Sequence, residues 1–126
     1  ASVHDQEAYC SAVPVQKYQD VEPWVQKMAA GQPNILTHEQ PFMFGTTSGT
    51  TRNPKLIPIT ETYRANLSRM MRVWLSSTLQ DHPEFFDHGI FTITSPAVEG
   101  HTACGIPTGS MSGLTRTRTP ELVRKR

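Results

Sequence analysis

A ten-residue segment, residues 46–55 (TTSGTTRNPK), carries the groups in this chain that are best suited to binding an anion. Successive backbone N–H groups in a turn form a concave anion site, and Ser and Thr hydroxyls add donors at little steric cost. Gly49 has no Cβ, so an oxygen atom can approach its backbone closely. Lys55 supplies a compact positive charge, or holds the segment through contacts with carbonyl groups. These properties suit the phosphate groups of a nucleoside triphosphate.

The same composition also fits an ordinary surface hairpin turn, because short runs of Gly, Ser and Thr are common in loops. From composition alone, the hairpin turn is the commoner of the two structures. A Walker A loop is excluded, since the pattern G-x-x-x-x-G-K-[ST] requires a Gly-Lys pair and the chain contains none. The usual class of nucleotide triphosphatases is therefore removed from consideration.

Two short apolar runs flank the segment, at residues 42–44 and 56–59. They predict a strand, a polar loop and a second strand. Thr60 can then cap a long helix with Glu61 in its first turn, where the positive end of the helix dipole favours an acid. The apolar residues of this helix recur at close to the helical period, and His82 and Pro83 mark its end. They are Tyr63, Leu67, Met70, Met71, Trp74 and Leu79.

An earlier helix is predicted from Asp20, which can cap it, with Pro23 tolerated in the first turn. Gly31 and Pro33 end this helix, and residues 1–19 before it form a lead-in or a short helix. The apolar residues share one face and predict ordinary core packing. They are Val21, Trp24, Val25 and Met28.

The second half of the chain predicts one further strand, followed by irregular structure. Residues 89–94 (GIFTIT) combine β-branched and aromatic residues after a glycine, which predicts a buried strand closed by Pro96. Residues 99–117 contain four glycines and many small hydroxyl residues, which predicts a long loop or a set of tight turns. The fold class is α/β, and 126 residues amount to one folding unit or part of one.

Composition excludes several classes of protein. Hydrophobic residues make up 37% and charged residues 18%, as in globular rather than disordered or membrane proteins. No run approaches the roughly 20 apolar residues of a bilayer-spanning helix, and the first residues lack the order of a secretion signal, which favours the cytoplasm. Five of the twelve basic residues lie at positions 116–126, so the rest of the chain is net acidic, which argues against a nucleic-acid partner.

Metal and hydrolase chemistry find little support in the sequence. The five histidines show no metal-binding spacing, and His101 with Cys104 gives only two ligands where a structural zinc needs four, so no metal site is predicted. Cys10 and Cys104 are expected to be reduced thiols. Gly109 and Gly113 have the spacing of the glycines in a G-x-S-x-G nucleophile elbow, but no strand is predicted before them. Glu99 is expected to be solvated.

The order T-S-G-T-T-x-x-P-K at residues 47–55 resembles the signature loop of adenylate-forming enzymes, which include acyl-CoA synthetases, luciferases and the adenylation domains of peptide synthetases. Residues 18–36, 55–60 (KLIPIT) and 93–113 are similar to the auxin-responsive-promoter family of acyl-acid amido synthetases, particularly its bacterial members. The similarity covers residues 18–126. Because members of that family are several times longer, residues 1–126 are expected to form a single incomplete unit, the N-terminal part of a large ATP-binding domain.

The resemblance implies a two-step reaction. ATP and a small carboxylic acid give an acyl-adenylate and pyrophosphate, and an amine such as an amino acid then attacks the acyl carbon. In such enzymes the loop grips the β- and γ-phosphates and stabilises charge on the departing pyrophosphate. ATP and Mg²⁺ are the implied cofactors, with the magnesium ligands outside this chain. The residues that match the phosphate-binding motif are Thr47, Ser48, Gly49, Thr50, Thr51 and the closing Lys55.

One position departs from the family pattern, because many relatives have Gly where this chain has Arg52. The change removes easy access to a positive φ, which Asn53 tolerates better, and Arg52 can add a phosphate contact. Two alternative functions stay open beside the amido synthetase. One is an acyl-CoA synthetase, in which a thiol replaces the amine, and the other is a fragment that binds a nucleotide or a partner without catalysis.

Overall fold

The computed structural model describes residues 5–47, 54–87 and 91–117. In chain order its elements are helix α1 (Gln6–Ala12), helix α2 (Tyr18–Ala29), strand β1 (Met43–Thr46), strand β2 (Leu56–Ile59), helix α3 (Glu61–Asp81), a 3-10 turn (Pro83–Phe86), strand β3 (Gly100–His101), strand β4 (Pro107–Gly109) and helix α4 (Met111–Thr117). The predicted α/β class is confirmed. Among the described helices, none combines the length and apolar character that crossing a membrane requires.

The strands form a mixed sheet in the order β2, β1, β4, β3. β1 pairs antiparallel with β2, in a register that sets Thr46 opposite Leu56. It also pairs in parallel with β4, which is antiparallel to β3. Both predicted strands are present, β1 at residues 43–46 instead of 42–44 and β2 at the predicted residues 56–59. The predicted loop between them lies mostly outside the described residues. The hairpin therefore has one arm, β1, in the interior of the sheet.

The core lies between α2 and β1. The side chain of Phe44 is fully buried, and it packs with three residues of one face of α2, namely Val25, Met28 and Ala29. Burying an apolar side chain of this size contributes about 1.5–3 kcal/mol. The partly buried side chains around this cluster are Ile35, Leu56 and Ile106.

Helix α2 begins at Tyr18 rather than at the predicted Asp20. Asp20 still helps to start the helix, because its carboxylate accepts a hydrogen bond from the backbone N–H of Lys17 at 2.7 Å. The earlier start places Pro23 in the second turn instead of the first, so the helix lacks the hydrogen bond that an N–H would donate there. The predicted end is confirmed, since Gly31 follows the helix with a φ of 87°.

Trp24 is not in the core formed by the described residues, so the core packing predicted for it is wrong there. Trp24 is 47% exposed, and the ammonium group of Lys27 lies 4.4 Å from the centroid of its ring. A cation over an aromatic face is favourable without burial of the ring. Trp74, on α3, is 56% exposed. The apolar residues of α3 recur with helical spacing, as predicted. Within the described part of the chain, however, no residue of this helix is buried.

Both predicted ends of α3 are confirmed. The hydroxyl of Thr60 accepts a hydrogen bond from the N–H of Tyr63 at 3.1 Å, and the helix ends at Asp81, directly before His82. Glu39 provides a second cap. Its carboxylate accepts a hydrogen bond from the backbone N–H of Thr62 at 3.1 Å and another from the hydroxyl of Thr62. These hydrogen bonds, the hydroxyl bond first, lower the pKa of Glu39 below its ordinary value.

The strand predicted at residues 89–94 is wrong over its described part, residues 91–94, which have no regular structure. Within the described part of the chain, Phe91 and Ile93 are each 88% exposed. Residues 89 and 90 lie outside the described part. A β-branched and aromatic run forms a strand only where a neighbouring strand is available, and the sheet uses other residues here.

The long loop predicted at residues 99–117 instead contains β3, β4 and α4. Pro107 and Gly109 in β4 have low strand propensity, and pairing with β1 overrides it. Glycine is required at Gly109 and Gly113 because the backbone of residues 95–98 crosses directly over them. A Cβ on Gly109 would overlap the carbonyl group of Ala97, and one on Gly113 would overlap the backbone from Ser95 to Ala97.

This crossing predicts that Gly113→Ala destabilises the protein by about 1–3 kcal/mol, since backbone atoms cannot rotate away as a side chain can. The matched control is Gly45→Ala in β1, because a Cβ there would lie 3.6 Å from its nearest neighbours, the side chains of Ile59 and Met111, which is an ordinary contact. Urea unfolding of both variants measures the difference. An equal loss of stability in Gly113→Ala and Gly45→Ala would contradict the close approach of residues 95–97 to Gly113.

The second cap of α3 predicts a pH-dependent contribution of Glu39 to stability. A carboxylate with a lowered pKa stabilises the fold above its unfolded pKa, and this contribution is lost as the pH falls from about 5 through the folded value. The difference in urea midpoint between the wild type and Glu39→Gln is therefore largest near neutral pH and shrinks on acidification. Glu22→Gln, which removes a carboxylate from α2, is the control. A difference that stays constant with pH would contradict the role given to Glu39.

Candidate functional site

The structure describes two of the six residues predicted to bind phosphate, Thr47 and Lys55. They lie directly after β1 and directly before β2, at the two ends of the segment between the strands. The backbone N–H of Thr47 donates a hydrogen bond to the carbonyl oxygen of Lys55 at 3.3 Å, which closes the hairpin at this point. The other predicted residues lie outside the described part of the chain. They are Ser48, Gly49, Thr50 and Thr51.

The hairpin is anchored by one buried side chain on each of its strands. Phe44 and Ile59, on the two paired strands, are both fully buried. A loop whose two ends leave a packed ladder has its ends held in place, since moving either end would disrupt the core. Thr47 and Lys55 are therefore held in place by the ladder that they close.

The outer edge of β2 is covered by one tyrosine of α2. The hydroxyl of Tyr18 accepts a hydrogen bond from the N–H of Leu56 at 2.9 Å and donates one to the carbonyl oxygen of Leu56 at 3.3 Å. A strand neighbour would supply the same pair of partners. No local sequence pattern signals this contact, because it joins residues 38 positions apart.

The same tyrosine lies beside the predicted phosphate-binding lysine. The ammonium group of Lys55 is 5.3 Å from the centroid of the Tyr18 ring, within the range of a cation–π interaction. Lys55 is half-buried, and its ammonium group lies over the face of the Tyr18 ring. The arrangement leaves a positive charge at the end of the hairpin.

A carboxylate approaches the other arm of the hairpin. The hydroxyl of Thr46 donates a hydrogen bond to the carboxylate of Glu99 at 3.1 Å, and the N–H of Glu99 donates to the carbonyl oxygen of Thr108 at 2.8 Å. Glu99 is exposed, as predicted, but it is bonded to protein as well as to solvent. The parallel pairing of β4 with β1 brings it there, and the sequence carries no signal of that pairing.

The glycine pair at 109 and 113 does follow a strand, contrary to the prediction, since β4 ends at Gly109 and α4 begins at Met111. A nucleophile elbow is nevertheless excluded, because Met111 occupies its central position. The hydroxyl of Ser110 accepts a hydrogen bond from the backbone N–H of Gly113 at 2.9 Å and donates one to the carbonyl oxygen of Pro96 at 3.0 Å. Ser110 therefore ties the start of α4 to the crossing segment.

Within residues 5–47, 54–87 and 91–117, no cluster of three or more His, Cys, Asp or Glu side chains could hold a metal ion. The thiol of Cys104 donates a hydrogen bond to the carbonyl oxygen of Ala29 at 3.1 Å, and the two cysteines of the chain are free thiols.

Comparison with known proteins identifies a family and a similar solved structure. The model of the GH3 family N-terminal domain matches residues 1–125 of the chain. The solved structure of AtGH3.15 acyl acid amido synthetase in complex with 2,4-DB is similar, with 25% sequence identity and a TM-score of 0.58. That similarity covers 90% of this chain and 21% of the chain of the synthetase, so this chain spans a small part of the length of that enzyme. No curated protein matches the sequence.

Proposed function

The chain belongs to the GH3 family, and we propose that the whole protein is an ATP-dependent ligase that joins a carboxylic acid to an amine. Its similarity to an acyl acid amido synthetase supports this reaction class. Within that enzyme, we infer that this chain is the N-terminal part of the ATP-binding domain. ATP and free amino acids as substrates favour the cytoplasm as its place of action.

In the first step, a carboxylate oxygen of the acid attacks the α-phosphorus of ATP and pyrophosphate leaves. Negative charge accumulates on the leaving pyrophosphate, so donors held around the β- and γ-phosphates lower the barrier. In the second step, the amine nitrogen attacks the acyl carbon, the bond to the adenylate oxygen breaks and AMP leaves. The amine loses a proton to solvent or to a base.

The residues we assign to the β- and γ-phosphates are the four on the loop, with Thr47 and Lys55 at its ends. Ser and Thr hydroxyls and backbone N–H groups donate hydrogen bonds, and Lys55 adds a positive charge. Mg²⁺ bound with ATP would neutralise part of the phosphate charge. The four loop residues are Ser48, Gly49, Thr50 and Thr51.

One observation carries this assignment: the loop leaves and re-enters a packed antiparallel ladder at Thr47 and Lys55, which share a backbone hydrogen bond at 3.3 Å. A phosphate site gains from such a base because donors fixed in advance need no reorganisation when charge develops. Because the Gly of many relatives is Arg52 here, we assign Arg52 an additional phosphate contact.

Acid-dependent exchange of labelled pyrophosphate into ATP tests the first step. We expect the purified full-length protein to catalyse exchange only when a suitable acid is present, because formation of the acyl-adenylate is reversible. The acid panel includes 2,4-DB, the compound bound in the matched structure. A broad panel without exchange would contradict adenylation. It would favour the alternative of a nucleotide-binding or interaction protein without catalysis.

The acceptor is tested on the acids that support exchange. Amide products with amino acids, and no thioester with coenzyme A, are the expected result, measured by mass spectrometry of the products. Thioester formation in place of amide formation would support the alternative, an acyl-CoA synthetase of the same superfamily. This outcome would leave the proposed phosphate site intact.

The phosphate loop itself is tested by Lys55→Ala and Thr51→Ala. Losing a hydrogen bond to a charged group costs about 1.5–3 kcal/mol, so we expect the KM for ATP to rise about 10-fold to 100-fold for Lys55→Ala, with a smaller rise for Thr51→Ala. Lys27→Ala is the matched control, because Lys27 also lies over an aromatic ring, at 4.4 Å, but on α2 away from the hairpin. An unchanged KM for ATP in both loop variants would refute the assignment.

A further inference from the structure

The backbone of β2 has an outward-facing edge that needs partners. In the antiparallel ladder with β1, the hydrogen bond from Thr47 to Lys55 marks residues 47 and 55 as a bonded pair. Bonded and non-bonded pairs alternate, so Leu56 and Pro58 direct their backbone groups away from β1. Pro58 has no N–H to leave unpaired, which suits an edge position. Leu56 has both a donor and an acceptor at this edge.

Tyr18 satisfies both of these groups with a single hydroxyl. It accepts the N–H of Leu56 at 2.9 Å and donates to its carbonyl oxygen at 3.3 Å. Leu56 follows Lys55 directly, so fixing the backbone of one restricts the other. Because Tyr18 is the first residue of α2, whose far end packs on Phe44, the tyrosine itself is held by the core.

The ring of Tyr18 acts on the side chain of Lys55. The ammonium group lies 5.3 Å from the ring centroid, so the ring face and the backbone bond together restrict where the charge can go. A lysine side chain has four rotatable bonds, and restricting them before binding reduces the entropy lost when a phosphate is bound.

We propose that Tyr18 is a positioning residue for Lys55, holding its backbone through Leu56 and its ammonium group through the ring, so that Lys55 is placed for the phosphates of ATP. The proposal rests on the phosphate-binding role proposed above for Lys55. Tyr18 touches neither substrate. It acts on ATP binding only through the lysine.

Two variants separate the hydroxyl from the ring. Tyr18→Phe keeps the ring and loses both hydrogen bonds to Leu56, and we expect it to raise the KM for ATP about threefold to tenfold. Tyr18→Leu loses the ring as well and raises the KM further. In both, the KM for the acid should stay within about twofold of the wild type. Tyr9→Phe, on α1 with 55% of its residue exposed, is the matched control and changes neither constant.

A double-mutant cycle tests whether the effect passes through Lys55. When Lys55 is already replaced by Ala, adding Tyr18→Phe should leave the KM for ATP unchanged, because the group that it positions is absent. Multiplicative effects of the two substitutions would overturn the proposal. So would a Tyr18→Phe variant with a wild-type KM for ATP, or one in which both KM values rise together with a lower urea midpoint, since that pattern belongs to a general stabilising contact.

The two proposals fail in distinguishable ways. If Lys55→Ala and Thr51→Ala leave the KM for ATP unchanged, the phosphate site is wrong and the role of Tyr18 is refuted with it. If those variants raise the KM and Tyr18→Phe does not, only the role of Tyr18 is refuted. All measurements use the full-length enzyme with an acid that supports pyrophosphate exchange.

Discussion

The described structure depends on the burial of Phe44 between the sheet and α2. This side chain is fully buried, and it lies on β1, which pairs with β2 on one side and with β4 on the other. Helix α2 contributes Val25, Met28 and Ala29 to the same cluster. A strand with neighbours on both edges and a helix on one face cannot shift its register without losing all three sets of contacts, since a slip by one residue turns every side chain to the opposite face. The hairpin built on β1 is rigid for this reason.

The parallel pairing of β1 with β4 shapes the second half of the chain. It requires a crossover from β2, and α3 lies in that connection, capped at its start by Thr60 and Glu39. It also brings the backbone of residues 95–98 against β4 and α4, which two glycines allow because they lack a Cβ. Glu99 reaches Thr46 as a result. Elements distant in sequence therefore meet at the arms of one hairpin.

A site for phosphate needs donors held in position more than it needs a particular fold. In the phosphate site that we propose, the two ends are held by the ladder, by the backbone bond between Thr47 and Lys55, and by Tyr18 at the edge of β2. Adenylation places negative charge on the leaving pyrophosphate, which is why we propose a cation and hydroxyl donors for this site.

The sequence by itself determined the elements that depend on neighbouring residues. The strand at 56–59, the cap at Thr60 and the end of α3 before His82 follow from turn chemistry, capping and helical period, which act over a few residues. The family resemblance also came from local motifs, and the family model confirms it. Only the tertiary structure decided which strands form, because a strand needs a partner: residues 91–94 have strong strand propensity and no ladder, whereas β4, with Pro107 and Gly109, is paired with β1. The contact of Tyr18 with Leu56 could not be predicted from the sequence for the same reason. It spans 38 positions and exists only because α2 packs beside the edge of β2.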